Sequence, residues 1–425
     1  MLRPTLLIIF TLTLAWLTGC GERRGAEQTV KVGVLHSQTG SMKDSEAPVI
    51  NAVLMAIDEI NASGYLPGIR IEPVVRDGKS NELVFADEAE DLLRDEGVSA
   101  IFGGWTSASR KAMIPVLERH NGLLFYPVQY EGSEMSPNIV YTGATPNQQI
   151  IPTVYWAMED EGAKRFFLVG SDYIFPRMAN EIIKDQVKAL GGEIVGERYF
   201  PLGSDDVGDI AQAIKEAQPD FILNTINGDT NGPFFTALRE AGVTSDDVPT
   251  LSFSVDENLL ASIGARQMVG DYAAWNYFQS LPSKANRGFV RRFQERSGKD
   301  TSTTDAMEAA YSAVYLWADA IHKGAETRDH FNIEDAHPSR IRSSIENRSF
   351  DAPGGMVFVD PRTHHLYKTA RIGRIVDDGQ FQLEWESESP VRPKPYPIFR
   401  PMEAWEDQLS LYQQGWDGKW SAPQD

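Results

Sequence analysis

Short apolar runs rich in β-branched residues alternate along this chain with longer segments whose apolar positions recur every three or four residues. Residues 30–35 form the first such run, and 47–60 follow with helical spacing, closed by Asn61-Ala62-Ser63-Gly64 as a helix stop. Residues 69–75 alternate like a strand and 83–94 return to helix. Further strands are predicted at 99–102, 123–126, 165–169, 194–200, 221–224 and 250–253, with helical stretches between most of them. This rhythm predicts an α/β protein with mainly parallel sheets covered by helices, and the length fits two such sheets better than one.

The first residues follow a different pattern. Arg3 gives a positive start, 6–17 is an apolar stretch interrupted only by threonines, and Leu17-Thr18-Gly19-Cys20 closes it. Such a stretch is too short for a permanent membrane helix and reads as an export signal over 1–19. Small residues before a cysteine are the pattern of a bacterial lipoprotein, so Cys20 is the expected lipidation site. It is the sole cysteine, which excludes an internal disulfide. Residues 20–29 are expected to be a tether. The formal net charge of −20 argues against nucleic-acid partners, and membrane association is expected only through the anchor.

In open parallel sheets, ligands lie beyond the carboxyl ends of the strands. The predicted tips there are His36-Ser37-Gln38-Thr39-Gly40-Ser41, Gly103-Gly104-Trp105-Thr106-Ser107-Ala108-Ser109, Tyr126-Pro127-Val128-Gln129-Tyr130, Gly170-Ser171-Asp172-Tyr173, Asn227-Gly228-Asp229 and Ser254-Val255-Asp256-Glu257. They carry hydroxyls, amides, carboxylates and aromatics, and none of these loops holds a Lys or Arg before Arg110, where the next helix is expected to begin. A site of this kind suits a small uncharged polar molecule. Each tip also has a structural reading: Ser107 or Ser109 as a helix cap, Asn227-Gly228-Asp229 as a turn, Trp105 and Tyr126 as core aromatics. Motifs for catalysis are absent: no G-x-S-x-G elbow, Walker loop or G-x-G-x-x-G. His364-His365 is the one close histidine pair, and adjacent side chains in a strand or turn diverge, so no shared metal is expected. The chain is read as a binding protein without enzymatic activity, cofactor or metal.

Gly104-Trp105-Thr106-Ser107-Ala108-Ser109-Arg110-Lys111, Leu124-Phe125-Tyr126-Pro127-Val128-Gln129-Tyr130-Glu131-Gly132, Gly170-Ser171-Asp172-Tyr173-Ile174-Phe175-Pro176-Arg177 and Ala274-Trp275-Asn276-Tyr277-Phe278 together resemble the urea-binding proteins of bacterial ABC transporters. The resemblance extends from about Val30 to the Gly415-Trp416 region. It implies a type I periplasmic binding protein fold, with two doubly wound parallel-sheet lobes joined by three crossover segments. These are expected near 144–149, 275–279 and 347–354. Lobe 1 would comprise 30–146 plus 279–348, lobe 2 would comprise 147–278 plus 349–400, and 401–425 would be a tail packing on a lobe. The implied function is an extracytoplasmic, membrane-anchored solute receptor that delivers urea to ABC permease subunits. Receptors for short aliphatic amides or branched-chain amino acids, and a ligand sensor, are the alternatives.

A related amide sensor implies ligand contacts at Trp105-Thr106-Ser107, Tyr126 and Tyr173, with Trp105 standing where that sensor has tyrosine. Urea needs an aromatic face, donors for its oxygen and acceptors for its nitrogens. Trp105 and Tyr126 are expected to flank it, with Ser107 and Tyr173 as hydroxyl contacts and Gln129, Asp229 and Glu257 as acceptors.

Overall fold

A computed structural model describes residues 27–325 and 332–423. The signal over 1–19, the Cys20 anchor and most of the 20–29 tether lie outside the described residues. The chain runs β1 (Gln28–His36), α1 (Lys43–Ser63), β2 (Ile69–Asp77), α2 (Glu82–Arg94), β3 (Ile101–Gly103), α3 (Ser107–Arg119), β4 (Leu124–Tyr126) and β5 (Ile139–Tyr141). These strands form one parallel sheet in the order β2-β1-β3-β4-β5. As the spacing predicts, α1 stops at Gly64, whose φ of 65° allows its N–H to bond the Ile60 carbonyl. Helix α3 begins three residues before the predicted start, because the Thr106 hydroxyl caps it by accepting the Ser109 N–H at 3.1 Å.

The chain continues through α4 (Ile150–Glu159), β6 (Arg165–Ser171), α5 (Ile174–Ala189), β7 (Glu193–Phe200), α6 (Ile210–Ala217), β8 (Phe221–Thr225), α7 (Asn231–Glu240), β9 (Thr250–Ser252), α8 (Glu257–Ile263) and β10 (Tyr272–Trp275). Next, α9 (Lys284–Ser297) and α10 (Asp305–Ala325) return to pack on α1, and α11 (Pro338–Ile345) lies on α10. A small antiparallel sheet follows, β11 (Ser349–Ala352), β12 (Gly355–Val359) and β13 (Leu366–Tyr367), and then β14 (Arg371–Ile375), β15 (Phe381–Glu386) and α12 (Met402–Gly415). The second large sheet has the order β15-β14-β10-β9-β8-β6-β7, parallel except for β14, which pairs antiparallel with both β10 and β15.

The chain passes between the sheets three times. The first two passages follow β5 and β10. The third differs from expectation. Residues 349–367 stay on the first lobe: β11 packs on α9 and α10, and His365 bridges to Tyr141 on β5. The chain enters the second sheet only at β14, so residues 368–370 make the passage, not 347–354. The reason is the small sheet, which uses hydrogen bonds among β11, β12 and β13 where the expectation had a simple connector.

Asn276 ties the three passages together. Its side-chain NH₂ donates to the Gln148 carbonyl at 3.0 Å and to the Thr369 carbonyl at 2.9 Å, and its backbone N–H donates to Asp305 at 3.0 Å. Farther along, the proline-rich stretch leads to α12, which packs on α5 with Trp405 fully buried. The chain then reaches both lobes. Ile174 N–H donates to the Trp420 carbonyl at 3.0 Å, while Trp420 N–H and the Ser421 hydroxyl donate to Glu82 at 3.3 and 3.1 Å.

Replacing Asn276 by Ala should strand the Gln148 and Thr369 carbonyls. Urea-free guanidinium denaturation is expected to show a loss of about 1–3 kcal/mol, and an unchanged midpoint would refute this role.

Candidate functional site

The tips of the two large sheets face each other and touch. Trp105 Nε1 donates to Asn227 Oδ1 at 3.4 Å, and Gln129 Nε2 donates to the Phe253 carbonyl at 2.8 Å. Between them lies a set of buried polar side chains drawn from β1, β3, β4 and their following loops on one side, and from β6, β8 and β9 on the other.

Glycine allows the strand ends to approach. A Cβ on Gly103 would fall 2.0 Å from the Leu35 carbonyl oxygen. The loop after β4 is held the same way: Gly132 has φ 73°, and a Cβ there would meet the Pro395 oxygen at 2.0 Å. That tight turn sets Glu131 and Glu134 on the same cation. Arg110, fully buried, bonds Glu131 at 3.0 Å and Glu134 at 2.8 Å, and Lys111 bonds Glu134 at 2.8 Å. The guanidinium also lies 4.8 Å from the Tyr126 ring centre and 4.5 Å from that of Tyr130. Burial alone would push the Glu134 carboxyl up, but Arg110 and Lys111 hold it at about 2.

The expected contact residues meet with different fates. Trp105, Ser107, Tyr126, Gln129 and Tyr173 are all buried within this junction. The Ser107 hydroxyl, expected to bind a ligand oxygen, instead donates to Glu131 and accepts from Arg110 at 3.0 Å. The Tyr126 hydroxyl donates to the Trp105 carbonyl. Thr106 is half-buried and serves as the α3 cap. Gln129 spends its NH₂ on the opposite lobe and keeps Oε1 buried without a partner. Burial holds the Tyr173 phenol well above its usual range, and the nearby groups that act on it include Tyr126, Glu131, Arg110 and Glu46.

Asp229 and Glu257 do not join this set. Asp229 is exposed on the turn Gly228–Thr230, because the backbone of that turn, and not its carboxyl, packs against Ser41 and Met42 of the other lobe. Glu257 is buried, but its Oε1 accepts the Gln279 N–H at 2.7 Å beside the second passage. That bond to Gln279 assigns it to the hinge, where the like charges of Asp256 and Asp305 also act on it.

Glu46, in the first turn of α1 and 1% exposed, was missed, and His36, placed at the first strand tip but given no ligand role, is 0% exposed beside it. A signal was present: Glu46 sits one helical step before Val49 and Ile50 on the apolar face, an odd place for a carboxyl. The pair His364-His365 splits as expected, with His365 buried against Tyr130 and Tyr141. Among the described residues, no cluster of His, Cys, Asp or Glu is arranged to hold a metal ion, and no helix is long and apolar enough to cross a membrane.

Two doubly wound lobes joined by three passages, with a polar junction at their strand ends, define a two-lobed solute-binding module. The chain belongs to the periplasmic binding protein family: the model described as "Periplasmic binding protein domain" matches residues 30–402. Its fold is that of the type I members. Among curated proteins, it is 24% identical to the Leu/Ile/Val-binding protein homolog 6 of Brucella abortus over 300 residues, covering 69% of this chain and 74% of that protein. A stretch of 133 residues is 32% identical to a protein named limonene hydroxylase from Geobacillus stearothermophilus, covering 31% of this chain and only 23% of that protein. Among solved structures, the solute binding protein of an ABC transporter from Rhodopseudomonas palustris BisB5, in complex with 3,4-dihydroxybenzoic acid, superposes with a TM-score of 0.76. It is 24% identical, with 86% of this chain and 98% of that one covered.

The hinge carboxyls generate a pH dependence. Burial pushes Glu257 up to about 8, against 4.5 for the free side chain, and pushes Asp256 up to about 6. The folded state therefore holds these protons more tightly than the unfolded chain, and stability falls as pH rises from the unfolded values through the folded ones. Each group contributes a slope approaching about 1.4 kcal/mol per pH unit within its window. Denaturation between pH 5 and 8 should show this loss, and Glu257→Gln should flatten it. An identical slope in the variant would refute the assignment.

Proposed function

We propose that this chain is an extracytoplasmic solute-binding lipoprotein that captures a small uncharged solute rich in N–H donors between its lobes, with urea the best chemical match, and presents it to an ABC permease. One observation carries the reading. Both cations at the junction, Arg110 and Lys111, are already neutralised by Glu131 and Glu134, while buried acceptor atoms on Glu46 and Gln129 have no partner. A ligand carboxylate would meet Glu131 and Glu46 with no unpaired cation beside it, which is unfavourable in a water-poor site. A neutral planar donor meets acceptors and two aromatic rings, Trp105 and Tyr126. The transporter role is supported by the family and by the likeness to the Rhodopseudomonas solute binding protein of an ABC transporter. The lipid anchor at Cys20 rests on the sequence motif.

A second reading, a receptor for branched-chain amino acids, is favoured by the Brucella relative named for leucine, isoleucine and valine. It requires a binding place for a free carboxylate, which the paired cations at Ser107 do not offer. Backbone N–H groups would have to supply it.

Calorimetry and thermal melting with urea, acetamide and leucine separate the readings. Urea at a hundred times its dissociation constant should add about 2.7 kcal/mol to stability, at concentrations far below denaturing ones. Shifts with leucine and none with urea would establish the second reading. Intact-mass measurement of membrane-extracted protein should show a lipid-modified chain beginning at Cys20, and an unmodified mature chain would remove the anchor.

A further inference from the structure

We propose that Glu46 is the residue that selects the ligand, its free carboxyl oxygen receiving an N–H from the amino group that urea has and a simple amide lacks. This rests on the reading of the site as a urea site, and it adds a residue that neither the motif nor the comparisons assign.

Glu46 Oε2 accepts the Ser37 N–H at 2.8 Å, which closes the loop after β1 onto the first turn of α1. That structural task occupies one oxygen. The other, Oε1, is buried and has no partner. Beside it stands His36, with Nδ1 3.5 Å from Glu46 Oε2 and neither ring nitrogen hydrogen-bonded. An oxygen and two ring nitrogens are thus left unsatisfied at the carboxyl end of a central strand, where this sheet type presents ligands. Buried polar atoms are nearly always paired, so a cluster of unpaired ones marks a place where a ligand or water completes the bonding. Glu46 N–H donates to the Met42 carbonyl at 2.9 Å, and Ser41 and Met42 pack against Gly228 of the opposite lobe, which places this first turn of α1 at the junction.

The other unpaired acceptors fit this role less well. Glu257 Oε2 lies beside the second passage, with its partner oxygen holding Gln279. Gln129 Oε1 belongs to an amide whose nitrogen clamps the Phe253 carbonyl, so its orientation is set by lobe contact. Asp256 Oδ2 is also unpaired, but its other oxygen caps α8 by accepting the Leu259 N–H at 2.9 Å beside the hinge carboxyls; Glu46 combines a free carboxyl oxygen with a position at the first strand tip.

Urea and acetamide differ by an amino group against a methyl of similar size, so shape discriminates poorly between them. An acceptor that the methyl leaves dry discriminates well. In Glu46→Gln the amide oxygen would take over the Ser37 N–H, turning the NH₂ toward the ligand, donor against donor. Calorimetry with urea and acetamide on the wild type and Glu46→Gln is the test. The expected result is at least a tenfold loss of urea affinity with a much smaller change for acetamide, so that the urea-to-acetamide ratio narrows. Glu46→Asp, which withdraws the carboxyl by one methylene, should narrow it too and serves if the glutamine variant does not fold. Wild-type urea binding with an unchanged ratio in the variants overturns the assignment to Glu46 alone. Parallel loss of both ligands also overturns it, marking Glu46 as a support for the β1 loop. Wild-type binding of leucine without urea overturns the functional reading and this proposal with it.

Discussion

The buried guanidinium of Arg110 is the interaction on which the junction depends. A cation removed from water is tolerated only when paired and hydrogen-bonded, and here Glu131 and Glu134 do both. Burial alone would lower the guanidinium's proton affinity, and the two carboxyls hold it well above its usual range. Satisfying this one group dictates much around it. The loop after β4 must double back through Gly132, Ser107 must face Glu131, and Tyr126 and Tyr130 must lie flat against the cation. Removing either carboxyl would leave an excess buried charge, so the cluster stands or falls as a unit.

That neutral cluster also sets the chemistry of the space beside it. Its hydroxyl and cations are spent internally, so the groups left for a solute are acceptors and aromatic faces. The polar character legible in the strand-end loops is therefore real, but its sign is decided by pairing. Ser107, which looked like a donor, is consumed by Glu131, while unpaired buried atoms on the first lobe's strand tips include those of Glu46, His36 and Gln129.

Lobe contact and lobe mobility are governed elsewhere. Asn276 bonds the first and third passages from the second, making the hinge one hydrogen-bonded unit. Buried carboxyls at Asp256, Glu257, Asp305 and Glu308 crowd the same region, with Lys368 3.9 Å from Asp305. The chain at 420–422 touches both lobes through Ile174 and Glu82. Any separation of the lobes has to break these last contacts, together with Trp105–Asn227 and Gln129–Phe253.

The sequence by itself determined the alternation of strands and helices, the stop of α1 at Gly64 and the set of loops that converge at the strand ends. Those features depend on local periodicity and on residues with special backbone freedom, which neighbours in the chain encode. It also carried a clue at Glu46, a carboxyl on an apolar helical face. Only the tertiary structure decided that Ser107 is spent on Glu131, that Asp229 points to solvent, that Glu257 serves the hinge and that the third passage comes after the small sheet. Each of those outcomes is a pairing between residues far apart in the chain. Which partner a buried polar group finds depends on the distance and direction set by packing, and periodicity along the chain contains neither.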